Sequence, residues 1–261
     1  MKNTAILILI SILITSCSIN DDNFSISENK KFLVSKVFDY QNRLLADYIY
    51  NDNNQLTKRI FTDPTTGNSS DLMFSYTDNK VSQIEFIDHN YPNFNNNKFL
   101  FYDSSDRIVR SEIFQNGNMI SHINYEYSSS GLITHFYSDD GITYNFFEYD
   151  NHRNIITVTN FYFDPFTGGN IEHISQFNYD YHRKPSFNLD YLFQIDLLPK
   201  MGSEAVFERN MSLNNLTFSE NSGTRWSYTY NDSCLPVSIL TEWEGIITDE
   251  PILLRLEYIE Q

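Results

Sequence analysis

One short unit recurs along this chain and restricts what it can become: an aromatic residue, a polar turn, then an aliphatic residue. Phe38-Asp39-Tyr40-Gln41-Asn42-Arg43-Leu44 sets the pattern, and Tyr50-Asn51-Asp52-Asn53-Asn54-Gln55-Leu56 follows it. Tyr102-Asp103-Ser104-Ser105-Asp106-Arg107-Ile108 and Tyr149-Asp150-Asn151-His152-Arg153-Asn154-Ile155 keep the same spacing. Shorter versions run from Tyr76 to Val81, Tyr127 to Leu132 and Tyr230 to Leu235, and a prolyl version runs from Tyr179 to Pro185.

The physics of the unit is that of a β-hairpin. Asn, Asp, Ser and Gly tolerate left-handed backbone angles and bond to their own backbone, so they reverse the chain. Flanking residues alternate: Ile123, Tyr125 and Tyr127 share one face, while His122, Asn124 and Glu126 share the other. Phe177, Tyr179 and Tyr181 repeat this alternation, as do Leu254, Leu256 and Tyr258. A hairpin with one apolar face must cover it against neighbours, so the copies are expected to stack into one antiparallel meander. The expected fold is all-β, a single large curled sheet or barrel-like roll, and the 21 Phe and 18 Tyr suit it. One stretch departs from the pattern. Leu189, Leu192, Phe193 and Leu197 fall at helical spacing, with Ser186 or Asn188 as a cap and Pro199 as a stop. A short helix or irregular insert is therefore expected near 187–202, either as a plug over one end or, more simply, as a core-packing connection.

The first residues read as a secretory leader. Lys2 supplies a positive start and Ala5 to Ile14 an apolar run of about ten residues, half of what a membrane-spanning helix needs. Ile14-Thr15-Ser16-Cys17 matches the lipobox of bacterial lipoproteins, in which the cysteine thiol takes a diacylglycerol and becomes the mature N-terminus. The polar segment after it cannot bury enough apolar surface to fold. The reading is a signal peptide over 1–16, a flexible tether over 17–30 and one β-hairpin-repeat domain over 31–261. With Cys17 lipidated, and Cys234 the only other cysteine, the fold is expected to stand without a disulfide. The Asn20-Asp21-Asp22 patch behind Cys17 resembles a surface-export signal, which implies an outer-membrane lipoprotein displayed on the cell surface; the alternative is the periplasmic face of the same membrane, with the patch a solvated linker.

With 34 acidic and 18 basic residues the net charge is −16, so no phosphate-tracking surface and no nucleic-acid partner are expected. The acidity signals solubility rather than a substrate.

The tyrosine-aspartate turns resemble YD repeats of the Rhs type. The chain also resembles a family of uncharacterised envelope lipoproteins assigned a porin-like β fold, on four features: Cys17, the prolyl turn Lys184-Pro185, Asn214-Asn215-Leu216-Thr217, and Tyr228-Thr229-Tyr230. The resemblance covers nearly all of 31–261. Tyr76-Thr77 and Tyr127-Ser128 lack the Asp, and Pro185-Ser186-Phe187 departs from the family's proline-phenylalanine pair. What the resemblance implies is a fold and an address, not an activity. The presumptive outward face carries Lys, Asn, Glu and His rather than a lipid-facing apolar strip, so a water-soluble roll is expected rather than a pore.

No nucleophile elbow, zinc-binding His-Glu-x-x-His helix or phosphate loop occurs, and no cofactor is expected. His122, His135 and His173 could meet across neighbouring strands, and Glu242 and Glu244 project to one strand face with Trp243 between them. The Asp-rich turns could take calcium but match turn chemistry fully. The leading expectation is a non-enzymatic binding or scaffold module that holds a glycan, peptide or partner protein against a curved aromatic sheet. Tyr125, Tyr127, Trp226, Tyr228, Tyr230 and Trp243 are its candidate contacts. The alternatives are an envelope hydrolase whose residues converge only in the fold, and a purely structural envelope component.

Overall fold

The computed structural model describes residues 31–138, 144–164, 166–189, 211–244 and 252–261. Sixteen strands follow in chain order: β1 (Phe32–Phe38), β2 (Leu44–Tyr50), β3 (Leu56–Thr62), β4 (Ser69–Thr77), β5 (Lys80–Asp88), β6 (Asn96–Tyr102), β7 (Ile108–Gln115) and β8 (Asn118–Tyr127). The second half holds β9 (Ile133–Ser138), β10 (Tyr144–Tyr149), β11 (Ile155–Asp164), β12 (Gly169–Arg183), β13 (Asn214–Ser219), β14 (Thr224–Tyr230), β15 (Pro236–Trp243) and β16 (Ile252–Glu260). Each strand pairs antiparallel with its sequence neighbours, and β1 pairs with β16, so the meander closes into a barrel. At the seam Phe32 faces Glu260 and Val37 faces Leu256. Closure leaves no free edge for another chain to extend.

The turns explain the repeat. After Tyr102, Asp103 Oδ1 accepts the backbone N–H groups of Ser105 (2.8 Å) and Arg107 (3.0 Å), while Oδ2 takes the Arg107 guanidinium at 2.7 Å. Those hydrogen bonds, backbone first, hold the Asp103 carboxyl below the usual carboxylate range. Asn51, Asp150 and Asn231 accept the same pair of N–H groups in their own turns. The fourth residue after the aromatic takes a left-handed angle at Asn42 (φ 63), Asn54 (φ 60), Asp106 (φ 65), Arg153 (φ 63) and Gly131 (φ 80), while the shorter turn after Tyr76 places it at Asp78 and Asn79.

Spacing decides where each turn lies. Tyr50, Tyr76, Tyr102, Tyr127 and Tyr149 follow one another by 22 to 26 residues, about two strands, so their turns share one end of the barrel. Phe38 precedes Tyr50 by 12 residues, a single strand, and its turn lies at the far end. The prolyl copy does not turn where the pattern expects. β12 runs on through Asp180 to Arg183: Asp180 keeps the bond to the N–H two residues on, at His182, but its second backbone donor is Asn215 of the returning strand β13.

At the shared end the tyrosines form a ring. Seven phenol hydroxyls donate to backbone carbonyls: Tyr50 to Val34, Tyr76 to Leu56, Tyr102 to Val81, Tyr127 to Ile108, Tyr149 to Ile133, Tyr228 to Leu216 and Tyr258 to Pro236. Every acceptor residue sits where its strand pairing shifts register. A register shift interrupts the ladder, and the hydroxyl from the next hairpin supplies the donor.

Inward side chains fill this end. Leu56, Ile133, Ile155 and Leu216 are each 0 % exposed. The chain after β12 closes it further: Val34 donates its N–H to the Ser186 carbonyl, and the Phe187 ring lies 4.9 Å from that of Tyr48. Leu189 and Met211 pack against the same core. Most of the segment expected as a helix or insert, from 190 onward, lies outside the described residues; its first three residues pack rather than coil, with Asn188 at φ 54. A 3-10 turn lies at Pro92–Phe94. Toward the far end the inward face turns polar, with Asn160, Ser175, Ser219 and Thr241 all buried.

The outer wall carries ion pairs, among them Lys58–Asp71 at 2.8 Å, Arg255–Glu257 at 2.7 Å and Arg225–Glu244.

Candidate functional site

Barrel closure places the predicted aromatic contacts inside. Tyr125 (7 % exposed) has its hydroxyl 3.1 Å from Ser111 Oγ, and Trp226 is 2 % exposed. Tyr127 and Tyr228 belong to the hydroxyl ring, and Tyr230 donates to Asp180 Oδ2. Trp243, half-buried, pairs inward with Thr224 at the far end. The sheet face left open in the sequence between groove and packed core is enclosed by closure of the barrel, with Tyr125 and Trp226 buried on it.

The other sequence candidates also separate. His122 and His135 lie on the outer face of β8 and β9, while His173 lies on β12 and faces inward beside Asn160, so the three do not meet. Among the described residues no group of three or more metal-ligating side chains occurs. Glu244 holds Arg225 on the exposed wall. Cys234 is buried in its turn at φ 56. Cys17 lies outside the described residues.

Two polar or aromatic groupings stand out. The first replaces the missing turn after Tyr179. Asp180 Oδ1 accepts from the backbone N–H groups of His182 (2.9 Å) and Asn215 (3.1 Å), while Tyr230 donates to Oδ2. The His182 ring stacks on Tyr230 at 4.1 Å, and Asn215 Nδ2 reaches the Arg183 carbonyl at 3.2 Å. Burial, reinforced by the Asp180 carboxylate, pushes the Tyr230 phenol up, so it stays a donor. Asn154 extends the network by exchanging bonds with Asn214 (2.9 and 3.0 Å). The arrangement fastens the β12–β13 connection, and burial pushes the neighbouring Lys184 ammonium down to about 8.

The second lies on the outer wall of β9 to β11. Phe136, Phe147 and Val158 point into the core, so the alternate residues His135, Tyr137, Phe146 and Phe161 point out. Their rings stack across the strands: His135 on Phe146 at 5.1 Å and 20°, Tyr137 on Tyr144 at 5.8 Å and 19°, and Phe146 edge-on to Phe161 at 5.9 Å. Phe146 is 41 % exposed and Phe163, next along the row, 45 %. Aromatic rings held parallel on an open sheet can take an apolar ring, a sugar face or a partner's side chains. Sequence alternation missed this row because Phe136-Tyr137 and Phe146-Phe147 put aromatics on both faces; the signal was that doubling itself.

No protein-family model matches the chain, and no curated protein matches it. Among solved structures it is similar to a porin-like protein from Bacteroides uniformis, at 16 % identity over 82 % of this chain and 90 % of that one, with a TM-score of 0.50. A porin-like protein from Bacteroides vulgatus gives 12 % identity over 87 % of this chain and 99 % of that one, with a TM-score of 0.41. A toxin complex, TcdB2-TccC3-Cdc42, gives 13 % identity over 86 % of this chain but 10 % of its own, with a TM-score of 0.30. The first likeness supports the barrel fold alone, and the other two carry no argument.

Proposed function

We propose that this chain is a non-enzymatic envelope lipoprotein that binds a glycan, peptide or partner protein through the outward aromatic row Tyr137, Tyr144, Phe146 and Phe161. The observation that carries this reading is the contrast between the two aromatic sets: the inward tyrosines give their hydroxyls to backbone carbonyls, whereas the outward rings pack on one another on the outer wall, with Phe146 exposed and Tyr137, Tyr144 and Phe161 half-buried. The proposed organisation keeps a leader over 1–16, a tether over 17–30 and the barrel over 31–261, with diacylglycerol on Cys17 and an outer-membrane, surface-facing address. The lipobox and the porin-like fold support that address.

The test uses the 31–261 fragment, which contains every strand of the closed sheet. Screened against glycan and peptide arrays, it should give hits that Tyr144→Ala with Phe146→Ala abolishes and Trp243→Ala preserves. Hits that survive the double variant would overturn the assignment of the site.

A further inference from the structure

The two ends of the barrel expose different chemistry. At the far end, three described connections on one side carry apolar tips: Tyr91 (57 % exposed) and Phe94 (61 %) between β5 and β6, Met119 (50 %) and Ile120 (56 %) at the start of β8, and Phe166 (98 %) between β11 and β12. Residues 90–95, 116–120 and 166–170 contain no charged side chain, in a chain of net charge −16 with 20 % charged residues. Carboxylates flank these stretches at Asp88, Asp164 and Glu172, and Asp139 and Asp140 lie in the β9–β10 connection; Asp88 is turned into its own loop, where Oδ1 accepts the N–H groups of Asn90 (2.9 Å) and Tyr91 (2.8 Å).

The β5–β6 tip is held out rather than left loose. The Asn95 N–H donates to the Pro92 carbonyl at 3.1 Å, and Gln115 Nε2 donates to the Asn93 carbonyl at 2.6 Å, joining the β5–β6 loop to β7. Just below them the outer wall continues the same chemistry through Phe114, Tyr137, Tyr144, Phe161 and Phe163. Fixed backbone with apolar ends aimed into water needs an acceptor.

We propose that these tips seat the far end of the barrel in the headgroup layer of an electrically neutral lipid surface. Separate protruding points suit a deformable acceptor better than a protein face, which needs matched relief over about 800 Å² per partner. Tyr and Phe are the residues that settle at the membrane–water interface. With no Lys or Arg among the tips, attraction to anionic headgroups is not the basis. Chain length permits the contact on the anchoring membrane itself, and this part rests on the lipoprotein reading. A polar tether over 17–30 has a root-mean-square reach of about 20 Å, comparable to the height of roughly 20–25 Å for a tilted nine-residue strand. A lipid on Cys17, joined to the tyrosine end at Lys31, therefore lets the barrel lie over so that its far rim touches the bilayer.

The experiment is flotation of the unanchored 31–261 fragment with phosphatidylcholine vesicles, and with vesicles of phosphatidylcholine containing phosphatidylglycerol. The fragment should co-float with the neutral vesicles, equally at 0.1 and 1 M salt, and less with the anionic ones. Phe94→Asp with Phe166→Asp should lower the floated fraction at least ~10-fold and leave the melting temperature unchanged, since both side chains are exposed. No flotation of the unchanged fragment, or flotation untouched by the double variant, overturns the proposal. Concentration-dependent self-association that the double variant removes, without vesicle binding, overturns it in favour of a protein contact. Absence of lipid on Cys17 in cells would instead sink the lipoprotein reading and leave the flotation result as it stands.

Discussion

Tyr76 donates its phenol proton to the carbonyl of Leu56 at 2.8 Å, tying the β4–β5 hairpin to the aliphatic end of the turn before it. The relation repeats from Tyr102 to Val81, Tyr127 to Ile108 and Tyr149 to Ile133, so each unit of the sequence repeat is fastened to its predecessor by one bond. The repeat is in this sense a chain of links, aromatic donor to aliphatic acceptor.

Tyr76→Phe keeps the ring and removes the hydroxyl, leaving the Leu56 carbonyl without that donor. A loss of about 1–2 kcal/mol in urea unfolding is expected. Tyr40→Phe, at a tyrosine 59 % exposed in the far-end turn, should change stability by less than about 0.5 kcal/mol. Equal effects at the two positions would contradict the ring.

The repeat made the strands, their antiparallel order and the turn chemistry legible, because aromatic, Asx and aliphatic positions each act within a few residues. Closure was not legible: whether β1 reaches β16 depends on accumulated twist and tilt over the whole sheet, which no local pattern records. For the same reason the inward direction of Tyr127 and Tyr228, whose hydroxyls reach backbone carbonyls, was not legible. The outer row was hidden by adjacent aromatics such as Phe146-Phe147, where alternation assigns neither face.

Gly131 holds φ 80 with open space where a Cβ would stand, so substitution there meets only backbone strain. Gly131→Ala should cost about 1 kcal/mol in the same unfolding assay. No change would show that the turn after Tyr127 does not need the left-handed angle.

Burial pushes the Tyr76 phenol up to about 12, and those of Tyr50 and Tyr258 higher still. A group whose folded pKa is raised contributes stability that is intact below its unfolded value of about 10 and is lost as pH rises toward the folded value. Melting temperature should therefore hold to about pH 9.5 and fall steadily from pH 10 to 12. Tyr50→Phe with Tyr258→Phe should be less stable at neutral pH but show a shallower fall. A parallel fall in the double variant would assign the alkaline transition to other groups.

Cys17 can form one bond through sulfur. Intact mass of the protein recovered from envelopes should show diacylglycerol on a chain beginning at Cys17, and Cys17→Ala should accumulate uncleaved precursor. A mature, oxidised chain without lipid would replace the lipoprotein reading with a disulfide-stapled one.

Everything above depends on the seam between β1 and β16, since an open sheet would turn its inward Trp226 and Tyr228 face into a groove and remove the reason to place recognition outside. Amide hydrogen exchange on the 31–261 fragment tests it directly. The account predicts that the ladder amides of β1 and β16 around Val37 and Leu256 are protected to within about tenfold of those of β4 and β5 around Phe74 and Ile84. Exchange at β1 and β16 orders of magnitude faster, with β4 and β5 still protected, would mean that the barrel is open.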